Sequence, residues 1–388
     1  MKYSVPLMQN AFFDEAETKK RLSKFILHKT RLSMDTYCQK FEKKFAKFHK
    51  SKYAVFFNSG SSSNLAILQT LLNLKKIKIG DTIAFSSLTW ATNVMPIMQL
   101  GFKPLPLDID KENLNIKLSD VDKLKNCKVL FVTNALGFCA DLEQIKKKCK
   151  KKKIILIEDN AEALGTTNHK NQLTGSFGEM SSFSFFVAHH MSTIEGGMVI
   201  TNDFNQYEML KMVRSNGWDR QLSAKTKKNL QNKNNTNSFY SKYTFYHLAY
   251  NLRPTEINAF VGIEQLKKLK KNLLLRNKIF FEVYKSYLKN NNLVQLSFKK
   301  INFFSPFSFP VICKTESYKK KLLKKFLRNR VECRPMIAGN MTLQPFYKNI
   351  YKKKSLPNCE FVHKNGFYFG IHPEMSSKQI KLLQKLFV

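Results

Sequence analysis

Residues Ile154-Ile155-Leu156-Ile157-Glu158-Asp159-Asn160-Ala161-Glu162-Ala163 set the architecture. The aliphatic run at its start reads as a buried strand. Acids follow at once, and the carboxyl end of a strand is where an open α/β sheet places its ligand site. Asp159 is therefore a candidate site residue, with Glu162 three positions further on.

Working outward, Tyr53–Phe57, Thr82–Phe85, Val129–Thr133 and Met198–Thr201 have the same buried-strand character. Helical patterns at Asn64–Leu74, Thr92–Leu100 and Leu142–Lys150 alternate with them. That alternation predicts an α/β domain with a largely parallel sheet. Past residue 250 the pattern changes. A long helix is expected from near Thr255 through Gln265 and Leu269 into the 280s, followed by a smaller α+β region to Val388. The expected division is a large domain, 1–250, and a small C-terminal domain, 251–388. Between the two, Lys225–Ser238 carries Asn229, Asn232, Asn234, Asn235 and Asn237 and reads as a long surface loop.

The chain has 388 residues, 43% of them hydrophobic, enough for a sizeable core. No apolar run approaches the roughly 20 residues of a membrane span. The segment Met1–Pro6 lacks a signal-peptide core. A soluble, cytoplasmic protein with no membrane partner is expected. Seven cysteines, at 38, 127, 139, 149, 313, 333 and 359, form no C-x-x-C pair. They read as free thiols in a reducing compartment, not as a metal site or disulfide framework. The net charge of +38 raises the question of nucleic acid. The lysines, however, sit in short runs such as Lys146–Lys148 and Lys150–Lys153 between core elements. Lys, Asn, Ile and Phe also share AT-rich codons, so composition explains the excess and no nucleic-acid partner is expected. An anionic nucleotide substrate would still gain from the positive field.

Asn58-Ser59-Gly60-Ser61-Ser62-Ser63-Asn64 follows one predicted strand and opens a helix. Small residues there let backbone N–H groups and hydroxyls approach an anion at a helix N-terminus. Thr89-Trp90-Ala91-Thr92-Asn93 holds one of only two tryptophans.

A third stretch runs Ser184-Phe185-Phe186-Val187-Ala188-His189-His190-Met191-Ser192-Thr193-Ile194-Glu195-Gly196-Gly197. It resembles the cofactor-lysine segment of the DegT-type sugar aminotransferases, a branch of the fold-type I pyridoxal phosphate (PLP) enzymes. That family reads Ser-Phe-x-x-x-Lys-Asn, with a Gly-Gly pair shortly after. Here the lysine position holds His189. Imidazole cannot form a Schiff base with PLP, but it can move protons near neutral pH.

The resemblance extends over nearly the whole chain. It implies the fold-type I architecture, a mostly parallel seven-stranded sheet plus a smaller C-terminal α+β domain. It also implies roles for single residues. Gly60, Ser61 and Ser62 match the phosphate cup, and Ser184 matches a phosphate-binding serine. Trp90 matches the aromatic residue that stacks on the cofactor ring. Asp159 matches the partner of the pyridinium nitrogen, and Glu162 a position near the ring hydroxyl. Tyr250-Asn251-Leu252-Arg253 resembles a motif whose Asn reaches the phosphate of the other subunit, which implies a homodimer with shared sites. Arg253, His247, Arg334 and Asn340 are the implied substrate-binding residues. Of these, Arg334 and Asn340 belong to Arg334-Pro335-Met336-Ile337-Ala338-Gly339-Asn340-Met341-Thr342-Leu343-Gln344-Pro345, where Leu343 replaces an arginine common in the sugar 3-dehydratases.

Histidine at 189 points to the lysine-less subgroup, which removes the C3 hydroxyl from nucleotide-linked 4-keto-6-deoxy sugars. One branch of it carries an iron–sulfur cluster on cysteines grouped after the histidine. This chain has no cysteine between Cys149 and Cys313. It resembles the other branch, which has no cluster, takes its amino group from L-glutamate and acts on a GDP-linked sugar. The implied chemistry alternates PLP and pyridoxamine phosphate, with His189 as the base. An aminotransferase that has lost its lysine and a catalytically inactive homologue are the alternative readings.

Overall fold

The computed structural model describes residues 3–352 and 354–388. Met1 and Lys2, which begin the N-terminal segment considered above, lie outside the described residues. The strands are β1 (Tyr53–Phe57), β2 (Thr82–Ser86), β3 (Lys103–Leu107), β4 (Cys127–Thr133), β5 (Ile155–Asp159), β6 (Thr167–Asn168), β7 (Met180–Ser184), β8 (Gly197–Thr201), β9 (Ile301–Phe303), β10 (Ser308–Ile312), β11 (Cys333–Pro335) and β12 (Gly366–Gly370).

Seven of them form one sheet in the order β1-β8-β7-β5-β4-β2-β3. The pairs β7/β5, β5/β4, β4/β2 and β2/β3 are parallel, and β8 alone runs against its neighbours β1 and β7. Side chains alternate between the two faces. Val129 and Phe131 pack with Ile67 and Leu71 of the helix Gly60–Asn73, whereas Leu130 and Val132 pack with Leu142 and Ile145 of the helix Leu142–Lys151. Helices thus cover both faces, and the carboxyl ends of the parallel strands converge on one edge.

A three-stranded antiparallel sheet, β10-β12-β11, forms a second centre of packing. Phe309 and Phe369 are cross-strand partners there, with rings stacked 4.9 Å apart. The helix Glu256–Tyr287 joins the two regions. Its start is fixed by Thr255, which accepts from the Asn258 N–H while the Asn258 side chain returns the bond. Ala259 and Ile263 pack with Phe56 and Phe183 of the large sheet, and Phe280 and Val283 pack with the small one.

Three expectations need correction. Lys225–Ser238 is not all loop, because Ala224–Lys233 is a helix capped by Ser223. It has no apolar stripe to announce it; Leu230 alone turns toward the core, and the rest of the helix is solvated. Thr92–Leu100 is not one helix but a 3-10 turn, Ala91–Asn93, and a short helix, Met95–Gln99, with Pro96 in its first turn. The helix expected at Asn64 begins at Gly60. Strand β3 escaped notice because Pro104 and Pro106 argue against a strand; it is tolerated at the sheet edge, where missing donors cost nothing. Among the described residues, no helix is long and apolar enough to cross a membrane.

Candidate active site

Seven chain segments meet at the carboxyl edge of the large sheet around a cavity of about 390 Å3. Ser59, Gly60 and Ser61 come from the turn after β1, and Trp90 from the segment after β2. Asp159 and Glu162 follow β5, and Ser184 and His189 follow β7. Ile337 and Tyr368 close it from the C-terminal region, with Phe307 beside them.

The turn after β1 is built to hold an anion. Ser59 caps the helix Gly60–Asn73, its hydroxyl accepting from the Ser62 N–H at 3.0 Å. The Ser62 hydroxyl lies 2.9 Å from that of Ser59, so Ser62 braces the cap and is not part of the cavity wall. Gly60 and Ser61 form the wall, where the helix N-terminus favours negative charge. Gly60 must lack a side chain, since a Cβ there would sit 2.7 Å from the Ser184 Cβ. That close approach brings the two candidate phosphate contacts together.

Alternation along β5 sends its two acids to opposite faces. Glu158 turns from the cavity and accepts from the N–H groups of Gly175, Phe177 and Gly178, pinning that loop. Asp159 lines the cavity. Its Oδ2 accepts from Asn64 (2.9 Å) and Asn93 (2.8 Å), and its Oδ1 from the Ala161 N–H (2.8 Å). Burial raises the Asp159 carboxyl, against these three bonds. Among the described residues no cation pairs with it. A buried carboxylate so oriented lacks only a positive partner, and a pyridinium nitrogen would supply one.

Glu162 accepts from the Leu136 N–H at 2.8 Å. Burial pushes it up to about 8, with the Asp159 charge adding to the shift. The raised value has a consequence for the ligand-free fold. A carboxyl whose folded value lies above its unfolded one binds its proton more tightly when folded. Its stabilisation is full below the unfolded value of 4.5 and is lost as pH rises toward about 8. Glu162→Gln is expected to flatten the fall of melting temperature across that window. An unchanged slope would show that Glu162 is not held protonated.

The His189 imidazole completes the chemistry. Its Nδ1 lies 2.8 Å from the Ala161 carbonyl oxygen. A carbonyl only accepts, so Nδ1 carries the hydrogen and Nε2 the lone pair. The ring packs against Phe307, centroids 4.9 Å apart. Burial lowers His189 to about 4, offset by the Ala161 bond and assisted by Arg276. The ordinary histidine range expected from the residue type is therefore not what the enclosed, ligand-free site provides. At neutral pH the ring is an uncharged base.

The residues proposed from sequence divide into three groups. The fold brings Gly60, Ser61, Trp90, Asp159, Glu162, Ser184 and His189 to one cavity. Asn251 and Arg253 lie elsewhere, both exposed, with Arg253 Nε donating to Asn251 Oδ1 at 2.9 Å. Arg334 is also exposed and pairs with Glu332, but its strand partner is Tyr368, a cavity residue. His247 does not reach the cavity, nor does Asn340. The buried Asn340 side chain caps the turn Met341–Leu343, accepting from the Thr342 N–H and hydroxyl. Sequence reading missed Asn64 and Asn93 as holders of Asp159, although both lie in the stretches singled out. Tyr368 and Phe307 carried no sequence signal.

These residues fit PLP: an anion cup, a buried acid for the ring nitrogen and an aromatic face. Comparison with known proteins agrees. The description of the DegT/DnrJ/EryC1/StrS aminotransferase family matches residues 14–386. A GDP-4-keto-6-deoxy-D-mannose 3-dehydratase of Escherichia coli O55:H7 is 33% identical over 379 residues, covering 94% of this chain and 95% of its own. A structure of GDP-4-keto-6-deoxymannose 3-dehydratase with a trapped PLP–glutamate geminal diamine superposes with a TM-score of 0.89 at 29% identity, covering 99% of this chain and 100% of that one. A histidine-to-asparagine variant of that enzyme with bound GDP-perosamine gives 0.88 at 30% identity, covering 99% and 100%.

Proposed function

The chain belongs to the DegT/DnrJ/EryC1/StrS aminotransferase family, and from that premise we propose that it is a PLP- and pyridoxamine phosphate-dependent 3-dehydratase of a GDP-linked 4-keto-6-deoxy sugar, with L-glutamate as amino donor. The observation that carries this reading is His189, a neutral base in the position where an aminotransferase has its lysine. When bound, the cofactor supplies an amino group to condense with the C4 ketone and a ring that accepts electrons. Gly60, Ser61 and Ser184 would hold its phosphate, Asp159 would keep its ring nitrogen protonated and Trp90 would offer it an aromatic face. His189 Nε2 would take a proton in each half of the cycle, the first from glutamate Cα, and would return it within the site. Expulsion of the C3 hydroxyl follows the second transfer, and hydrolysis releases a 4-keto-3,6-dideoxy sugar and ammonia.

The stoichiometry separates this activity from its alternatives. Incubated with PLP, L-glutamate and GDP-4-keto-6-deoxymannose, the protein should give one 2-oxoglutarate and one ammonia for each sugar that loses an oxygen, read by mass spectrometry. An amino sugar instead would identify an aminotransferase. No change in sugar or glutamate would identify an inactive homologue.

We further infer a cytoplasmic homodimer with shared sites and a division of the chain near residue 250. Asn251 and Arg253 support the dimer, since they are exposed and already paired as a unit. Phe239, Tyr240, Tyr243, Phe245 and Leu248 form an exposed apolar run just before them. In this arrangement Asn251 reaches the phosphate in the other subunit's site, and Arg253, Arg334 and His247 meet the anionic nucleotide. Mixing His189→Asn protein with Asn251→Ala protein should then regenerate activity, because some hybrid dimers hold one intact site. A mixture never more active than its better parent would rule out sharing.

A further inference from the structure

Arg276, on the helix Glu256–Tyr287, is buried, and among the described residues it has no counter-ion. Its Nε donates to Asn272 Oδ1 at 3.0 Å, and its Nη1 to the carbonyls of Ile371 (2.7 Å) and Phe307 (3.2 Å). Its Nη2 lies 3.5 Å from the His189 carbonyl. Asn272, one turn earlier, donates to the His190 carbonyl at 2.8 Å. The Asn272–Arg276 pair therefore ties together the two histidine positions, the Phe307 ring support of His189 and the segment leading to His372. Among the described residues, no carboxylate is within ion-pair distance of Arg276. Enclosing a charge with only carbonyl partners is costly.

We propose that Arg276 is a positioning residue for the proton transfers of His189: its guanidinium fixes the backbone that carries the imidazole, and its enclosed charge opposes a second positive charge on the ring. The inference rests on the reading of His189 as the base. Burial and Arg276 push in the same direction on His189, and both also lower His190 and His372. Burial is the larger cause at each. The other charged or titratable groups around His189 are Asp159, Glu162, Glu195 and Tyr368 on the cavity wall. Glu374 and His372 face the small chamber on the Arg276 side. The Glu374 carboxylate is engaged, accepting from Asn10 Nδ2 at 2.6 Å. Among the described residues that line these two spaces, Arg276 is thus the cation that can act on the ring at every working pH.

The test is titration of the His189 imidazole by NMR in 15N-histidine-labelled, PLP-loaded protein, assigned from the signal lost in His189→Asn. Arg276→Gln removes the charge and should move the His189 midpoint up. The acid limb of the kcat/KM profile should follow it. Arg276→Lys keeps the charge but not the fork. It should leave the midpoint near that of the parent and lower kcat about 10- to 100-fold with little change in KM. An Arg276→Gln midpoint equal to the parent's overturns the proposal, whatever its rate. If Arg276→Gln does not fold, Arg276→Lys decides: slowed 2-oxoglutarate release from glutamate at an unchanged His189 midpoint supports the proposal, and release at the parental rate overturns it. None of these titrations needs the sugar, so failure of the proposed activity would be seen separately.

Discussion

His189→Asn should bind PLP as the parent does and lose turnover by about 100- to 10,000-fold, the usual cost of removing a general base. The asparagine amide can keep donating to the Ala161 carbonyl in place of Nδ1, so the segment keeps its anchor. The Nε2 lone pair has no replacement. The candidate phosphate contacts Gly60, Ser61 and Ser184 and the acid at Asp159 lie on other segments and are untouched. Absorbance titration with PLP and release of 2-oxoglutarate from glutamate measure the two halves of this expectation. His189→Lys should differ again: borohydride should fix PLP to position 189 in that variant and not in the parent, yet deoxygenation should stay low. Near-parental 2-oxoglutarate formation by His189→Asn would remove His189 from its role. His190 would not be a ready substitute, since it is fully enclosed and its Nε2 faces the Ser305 carbonyl at 3.2 Å.

Asp159→Asn is expected to weaken PLP by about 3 kcal/mol, the lower range for removing one partner of a buried charge pair. That is a factor on the order of 100 in Kd. The ligand-free protein should respond quite differently. There the carboxylate is buried without a cation, so its removal relieves a desolvation cost. An amide can accept from Asn64 and Asn93, as Oδ2 does now, but must then set its NH2 against the Ala161 N–H. The two changes oppose each other, and the melting temperature should move little. Equilibrium PLP binding and thermal melts of the ligand-free protein check both. Parental PLP affinity in Asp159→Asn would mean that the ring nitrogen does not face this acid.

Much of the site was legible because its residues sit at strand ends, where hydrophobic runs stop abruptly. Ile154–Ile157 announces β5 and so places Asp159. Tyr53–Phe57 announces β1 and so places Gly60. The histidine at 189 was read from a local motif that survives in sequence order. The helix Ala224–Lys233 was not legible, since a solvated helix of lysines and amides has no hydrophobic period. Nor was β3, whose prolines are acceptable only because nothing pairs beyond it.

The sequence by itself determined the alternation of strands β1, β2, β4, β5 and β8 with helices, the candidates for base and acid, and the absence of a lysine at position 189. These are properties of single residues or of short runs. Tertiary structure alone decided which partners those residues have. It placed Asn64 and Asn93 on Asp159, set the His189 tautomer through Ala161, and enclosed Arg276 behind the histidines. It also removed Ser62 and Asn340 from the cavity wall by giving their side chains local hydrogen bonds. The physical reason is that burial and hydrogen bonding depend on contacts between segments far apart in the chain. Those contacts set the charge state of each group, and sequence spacing does not encode them.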